Sequence, residues 1–201
     1  MAKRHLTGKE RLLPRRTVAD FWRWAMNDLQ MNTTRGLLAE YLVARAVGST
    51  APHRIEWDVF DVLAADGTRI EVKSSGYLQS WSPETVSTPR WGFKAIDTTR
   101  IWDDDLRDYV DVDPVDRVDV WVFALQVAES MKEFDPTDID QWEFRVAGNC
   151  ELLQLNQRSI GIRGLDSLGA RPVAYTSLAR EIKRAKTRNA KLRERSETKR
   201  G

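Results

Sequence analysis

A chain of 201 residues, 41% hydrophobic and 31% charged, is long enough for one domain with a sizeable core. Its single Cys150 excludes an intramolecular disulfide and a cysteine zinc site and fits a reducing, cytoplasmic setting. The formal net charge of +2 conceals two basic ends, +5 over residues 1–16 and +7 over 178–201, around an acidic body of −10, a distribution that suits polyanion contact through the ends.

Residues 1–16 read as a flexible basic arm. No apolar stretch follows Met1-Ala2-Lys3-Arg4-His5, so neither a signal peptide nor a membrane span is expected. The two histidines, His5 and His53, look too few and too separated for a histidine metal centre or a Ser/His/Asp arrangement. Thr17-Val18-Ala19-Asp20 then opens a helix through Gln30, in which Phe21, Trp22, Trp24, Ala25 and Leu29 recur at helical spacing. Such a stripe is more often core than a base-stacking platform. Thr34 to Ala46 reads as a second helix, with Thr33 or Thr34 as its N-cap and Gly48 just past its end. Leu37, Leu38, Tyr41 and Leu42 make it mostly apolar, and Glu40 sits among them, where an unpaired carboxylate is costly to bury. Glu40 either pairs with Arg35 or Arg45 or points into a cleft as a metal ligand.

Asp58 to Ser75 carries the strongest pattern. Asp58–Ala64 and Thr68–Ser75 alternate as two strands around Ala65-Asp66-Gly67, a three-residue loop closing on a glycine where a left-handed residue is wanted. In that register Ala64 faces Thr68, Val62 faces Ile70 and Phe60 faces Val72, one largely apolar face. The other face holds Asp61 opposite Glu71, with Lys73 opposite Val59. Directly opposed side chains sit roughly 4.5–5.5 Å apart at Cβ, close enough for two carboxylates to share a metal. Asp58 falls on the apolar face, which makes Asp61 the better ligand. A two-residue Asp66-Gly67 turn would shift the pairing by one and scramble both faces. The spacing Glu71-Val72-Lys73 recurs in Glu181-Ile182-Lys183 and Glu197-Thr198-Lys199, but only the first lies on a strand-like alternation with an acid across from it.

Residues 80–92 are a loop close to this hairpin, in which Trp81, Arg90 and Trp91 either meet nucleic acid or pack beneath the loop. Phe93–Ile96 suggests a short strand, and Asp103 to Pro114 an acidic connection away from the site. Arg117–Val127, nearly all apolar, is the clearest and most central strand. An acidic loop over 132–140 precedes a strand at Trp142–Val146. After a mixed region, Thr176 or Ser177 caps a helix that runs into the basic end, its last dozen residues fraying. No repeat and no second domain are evident.

Glu40 on the leading helix, Asp61 on one strand and Glu71-Val72-Lys73 on the next resemble the PD-(D/E)xK nuclease superfamily, the restriction-endonuclease-like fold; the leading glutamate resembles the Holliday-junction-resolvase-like subset. The likeness covers about residues 33–82, and the family's proline before the Asp is replaced by Phe60. The resemblance implies an α/β fold in which a helix, three strands, a helix and a further strand build a mixed β-sheet flanked by helices. It implies a single nuclease-like domain over 17–177, between the basic arm at 1–16 and a basic helix or tail at 178–201. It further implies Mg²⁺-dependent phosphodiester hydrolysis, Mn²⁺ being a substitute, with Asp61, Glu71 and Glu40 as metal ligands and Lys73 positioning water or offsetting charge. Related nucleases often place a polar residue beyond the lysine, here Gln79, to orient water or phosphate. The expected partner is nucleic acid, DNA first, with a homodimer compatible and no membrane. A non-catalytic nucleic-acid-binding module of the same fold, or a partner-binding protein with an incidental motif, are the competing readings.

Overall fold

Residues 5–54, 59–82, 84–93, 100–103 and 106–198 are described in the computed structural model. The N-terminal arm folds back as β1 (Arg11–Leu13) on β2 (Arg16–Thr17) and enters α1 (Val18–Ala25), where the Asp20 carboxylate accepts from the Thr17 N–H at 2.7 Å. Then come α2 (Asn32–Ala46), β3 (Val62–Leu63), β4 (Arg69–Gly76), β5 (Arg90–Gly92), β6 (Arg100–Asp103), β7 (Asp108–Asp111) and α3 (Pro114–Arg117). The chain continues with β8 (Val120–Gln126), β9 (Trp142–Gly148), α4 (Asn149–Leu153), β10 (Ser159–Gly161), α5 (Ile162–Ser167) and α6 (Tyr175–Thr198).

The central sheet has the order β3-β4-β8-β9 and is mixed: β3 and β9 are antiparallel to their neighbours, whereas β4 and β8 run parallel. Alternation along its strands sorts the side chains into two layers. Ile70, Val72, Val120, Val122, Phe144 and Val146 face α2 and α6, which contribute Ala39, Val43, Leu178, Ile182 and Ala185. Trp121, Phe123, Leu125 and Ala147 face the opposite way, onto Trp91, Phe93, Ile160 and Leu165. With both faces covered, all seven residues of β8 are buried, as the apolar run Arg117–Val127 predicts for a central strand. Each such aliphatic or aromatic side chain stabilises the fold by roughly 1.5–3 kcal/mol relative to exposure. The protein is thus a mixed α/β structure whose sheet is flanked by helices.

Several expectations are corrected. The α1 aromatics are not core: the helix ends at Ala25, Val18 is its buried residue, and Trp24 is 78% exposed. Helix α2 starts with Met31 at its N-cap, before either threonine, and the Thr34 hydroxyl donates back to the Met31 carbonyl at 3.1 Å. Gly48, at φ +65°, does follow its end. A strand, β5, precedes the one expected at Phe93–Ile96, of which residues 94–96 lie outside the described set. The acidic connection holds a hairpin arm, β7 paired with β6. The basic C-terminal segment is helical through Thr198, with Leu178, Ile182 and Ala185 in the core.

Candidate active site

The hairpin loop closes as its residues dictate. Gly67, at φ +78°, donates its N–H to the Ala64 carbonyl, and Ala64 donates to Thr68, both at 2.9 Å. The ladder pairs Val62 with Ile70 and Leu63 with Arg69, the expected register. It stops at Asp61. The Asp61 N–H donates to the Ile70 carbonyl at 3.0 Å, the acceptor opposite Val62, so the chain slips there as in a β-bulge. A one-residue slip exchanges faces. Phe60 therefore packs with the Trp91 and Phe123 layer instead of facing Val72. The same slip turns the Asp61 carboxylate onto the next strand, where it accepts the Val72 N–H at 2.7 Å and takes the place of a ladder carbonyl. Asp58 lies outside the described residues.

Glu71 and Lys73, two apart on β4, project from the face that carries Trp121. Glu71 is 7% exposed, and its Oε1 lies 2.7 Å from the Lys73 Nζ. Its Oε2 is 3.6 Å from Nη2 of Arg117, whose Nε donates to the Val59 carbonyl at 3.2 Å. The Lys73 ammonium also stands 5.7 Å from the centre of the Trp121 ring. Burial raises the Glu71 carboxyl above the ordinary range, and the Asp61 charge raises it further; Lys73 and Arg117 work against both.

Glu40 belongs to α2, on the other layer. Its carboxylate is held by Arg54, with Oε1 3.3 Å from Nη2 and a closer contact to Nε, rather than by Arg35 or Arg45. Its carboxyl is also raised, chiefly by burial, with Arg54 opposing and the Asp61 charge adding to the rise. The Asp61 charge and Lys73 act on Glu71 where β3 gives out, and the same two groups act on Glu40. Among the described residues no three of His, Cys, Asp and Glu gather closely enough to hold a metal. Gln79 is tied elsewhere: its amide donates to the Gly76 carbonyl at 2.8 Å and the Ser87 hydroxyl at 3.1 Å. The histidines, contrary to expectation, do meet, with rings stacked 3.5 Å apart, but no third ligand joins them among the described residues.

The donors present suit a hard cation. Burial first, and the Asp61 charge after it, push the Glu71 carboxyl upward, a cost that a divalent ion would offset. Sequence patterns offered no sign of Arg117 or Arg54, whose roles depend on where β8 and the segment after α2 dock.

Residues 23–97, which contain Glu40, Asp61, Glu71, Lys73 and Gln79, match the family described as bacteriophage T4 endonuclease IV. The match takes in 75 of the 201 residues. No curated protein sequence matches the chain. Over this stretch the protein is similar to an endonuclease family.

Proposed function

We propose that the protein is a divalent-metal-dependent nuclease that hydrolyses phosphodiester bonds of nucleic acid, DNA in the first instance. The observation that carries this reading is the buried Glu71 carboxylate, Lys73 at 2.7 Å and Asp61 across the strand pair, all within the stretch similar to an endonuclease family. The mixed sheet with α2 on one face supports the restriction-endonuclease-like assignment. Asp61 and Glu71 are the ligands; a bound Mg²⁺ or Mn²⁺ supplies Lewis acidity toward the phosphodiester. Lys73, a compact charge with three donors, orients the attacking water and offsets charge growing on the phosphoryl oxygens. Water adds at phosphorus, a P–O bond breaks, and the products are a hydroxyl and a phosphate monoester. Glu40, already engaged by Arg54, deepens the negative potential instead of ligating.

The Arg54–Glu40 and Arg117–Glu71 contacts favour a second reading, a non-catalytic nucleic-acid-binding module whose acids are internally neutralised. A Mg²⁺/Mn²⁺ cleavage assay over linear, nicked, flapped and four-way DNA separates the two. Asp61→Asn, Glu71→Gln and Lys73→Ala each abolish cleavage with the fold intact, and Glu40→Gln reduces it less. Undiminished turnover in the first three variants places the chemistry elsewhere. Binding without cleavage under every condition leaves the module.

A further inference from the structure

Two arginines are buried among the described residues, and they are treated differently. Arg145 reaches the Asp166 carboxylate at 2.6 Å. Arg35, 4% exposed, pairs with no carboxylate. Its guanidinium meets only neutral oxygens: the Gln30 and Leu78 carbonyls, each at 3.5 Å, Asn32 Oδ1 at 2.5 Å and Gln79 Oε1 at 3.4 Å. Its Nε, like that of Arg145, has no partner. The Gly76 backbone comes so close that a Cβ there would lie 3.2 Å from Nη1. Burial lowers the pKa of Arg35, yet a guanidinium keeps its proton in proteins. An uncompensated buried charge costs several kcal/mol, which a bound anion would offset.

Arg35 lines a cleft of about 630 Å³ between the start of α2 and the segment from Ser74 to Arg90. Asn32, Gln79, Ser87, Arg90 and the 68% exposed Trp81 are also on its wall, and no carboxylate is. Nor does the first turn of α2 contain an acid, so its unpaired N–H groups add to the positive potential. Lys73 stands three residues before Gly76 on β4, about 10 Å along the strand. That is the axial length of about three nucleotides of a duplex strand, and of fewer in an extended single strand.

We infer that this cleft binds a backbone phosphate of the nucleic-acid strand a few nucleotides from the reacting bond, with Arg35 as its counter-charge and Trp81 as a face on which the adjoining base stacks. The distance to the reacting bond rests on the nuclease reading; the phosphate site does not. Gln79 then belongs to substrate holding, since its amide bridges Arg35, Gly76 and Ser87.

The test measures binding of the full chain in EDTA to a fluorescein-labelled oligothymidylate of about twelve nucleotides across a salt series. Trp81→Ala weakens binding about 5- to 150-fold, the range for one stacked base, with the salt slope unchanged. Arg35→Gln flattens the dependence of log K on log salt by about 0.7, and Arg35→Lys restores it. A merely structural Arg35 would alter stability and leave the slope alone. If Arg35→Gln fails to fold, the Arg35 Nε–H resonance of the wild-type protein is followed by ¹H–¹⁵N correlation as oligothymidylate is added, and its displacement supports the site. Wild-type affinity in Trp81→Ala, an unchanged slope in folded Arg35→Gln, or an unmoved Nε–H resonance overturns it. Cleavage without these effects refutes the cleft and spares the nuclease reading; these effects without cleavage under any divalent ion do the reverse.

Discussion

Burial strips water from the Glu71 carboxyl and leaves it beside the Asp61 charge, so the folded chain keeps a proton that the unfolded chain has already lost. The sign follows from linkage. A folded-state carboxyl raised above its unfolded value makes stability fall as pH rises through the interval just above the ordinary carboxylate range, then level off once ionised. Urea midpoints measured in EDTA over a pH series will show this decline, and Glu71→Gln will make it shallower; Glu40, raised by its own burial, supplies what remains. A wild-type midpoint that climbs through the interval contradicts the assignment. If Glu71 is a metal ligand as proposed, saturating Mg²⁺ is expected to displace the proton and remove the decline, because cation and proton would compete for one carboxylate. Glu71, Lys73 and the register toward Asp61 were legible in sequence, since a period of two and a glycine turn leave few pairings. The bulge at Asp61 was not. It depends on the Val72 N–H lacking a ladder partner once β3 stops, and only the folded strand pair reveals that.

At the scale of the element, α6 shows how charge can mask structure. It carries eight Lys/Arg, and its end was expected to fray as a basic tail, yet Leu178, Ile182, Ala185 and Asn189 form a buried stripe at helical spacing. The Asn189 Oδ1 accepts the Cys150 N–H at 2.7 Å, Arg188 reaches Glu151 and Glu181, and Arg193 reaches Asp116 at 2.6 Å. Cutting the chain after Arg184 therefore removes Ala185 and Asn189 from the core and lowers the urea midpoint, so it cannot report on binding alone. Arg180, Arg184, Lys191 and Arg195 form the exposed stripe on the opposite side. Replacing these four by Gln is expected to flatten the salt dependence of duplex DNA binding by up to about 0.9 per lost phosphate contact. The unfolding free energy from urea titration is expected to stay within about 0.5 kcal/mol of wild type, as for exposed substitutions. An unchanged slope would assign the stripe to solvation. The opposite misreading occurred in α1, where helical spacing of aromatics suggested burial. Periodicity shows that a face exists, not that anything covers it, and Phe21, Trp22 and Trp24 remain exposed.

In the whole molecule, β8 was legible as the central strand because seven consecutive buried side chains need two covered faces. Its parallel pairing with β4 was not, since the partner lies across a long excursion: Ile70 meets Val120 and Gly76 meets Gln126, each 50 residues apart in the chain. That pairing governs how the molecule is made. The β3–β4 hairpin closes locally, on the order of 1–10 μs, whereas the β4–β8 ladder must wait for a loop closure that nothing rewards until most of it has formed. Hairpin closure therefore brings the Asp61 charge close to Glu71 early, before β8 delivers Trp121 beneath Lys73 and α3 delivers Arg117. Refolding in EDTA should occupy milliseconds to seconds, with Val122→Ala slowing the folding limb of a stopped-flow chevron and Leu178→Ala, on α6, chiefly accelerating the unfolding limb. Equal effects of both substitutions on the folding limb would show that α6 docks with the sheet and not after it. The acidic pair at the end of β3 is, in this sequence of events, a barrier that the folding chain crosses with Lys73 alone to offset it, before Arg117 arrives.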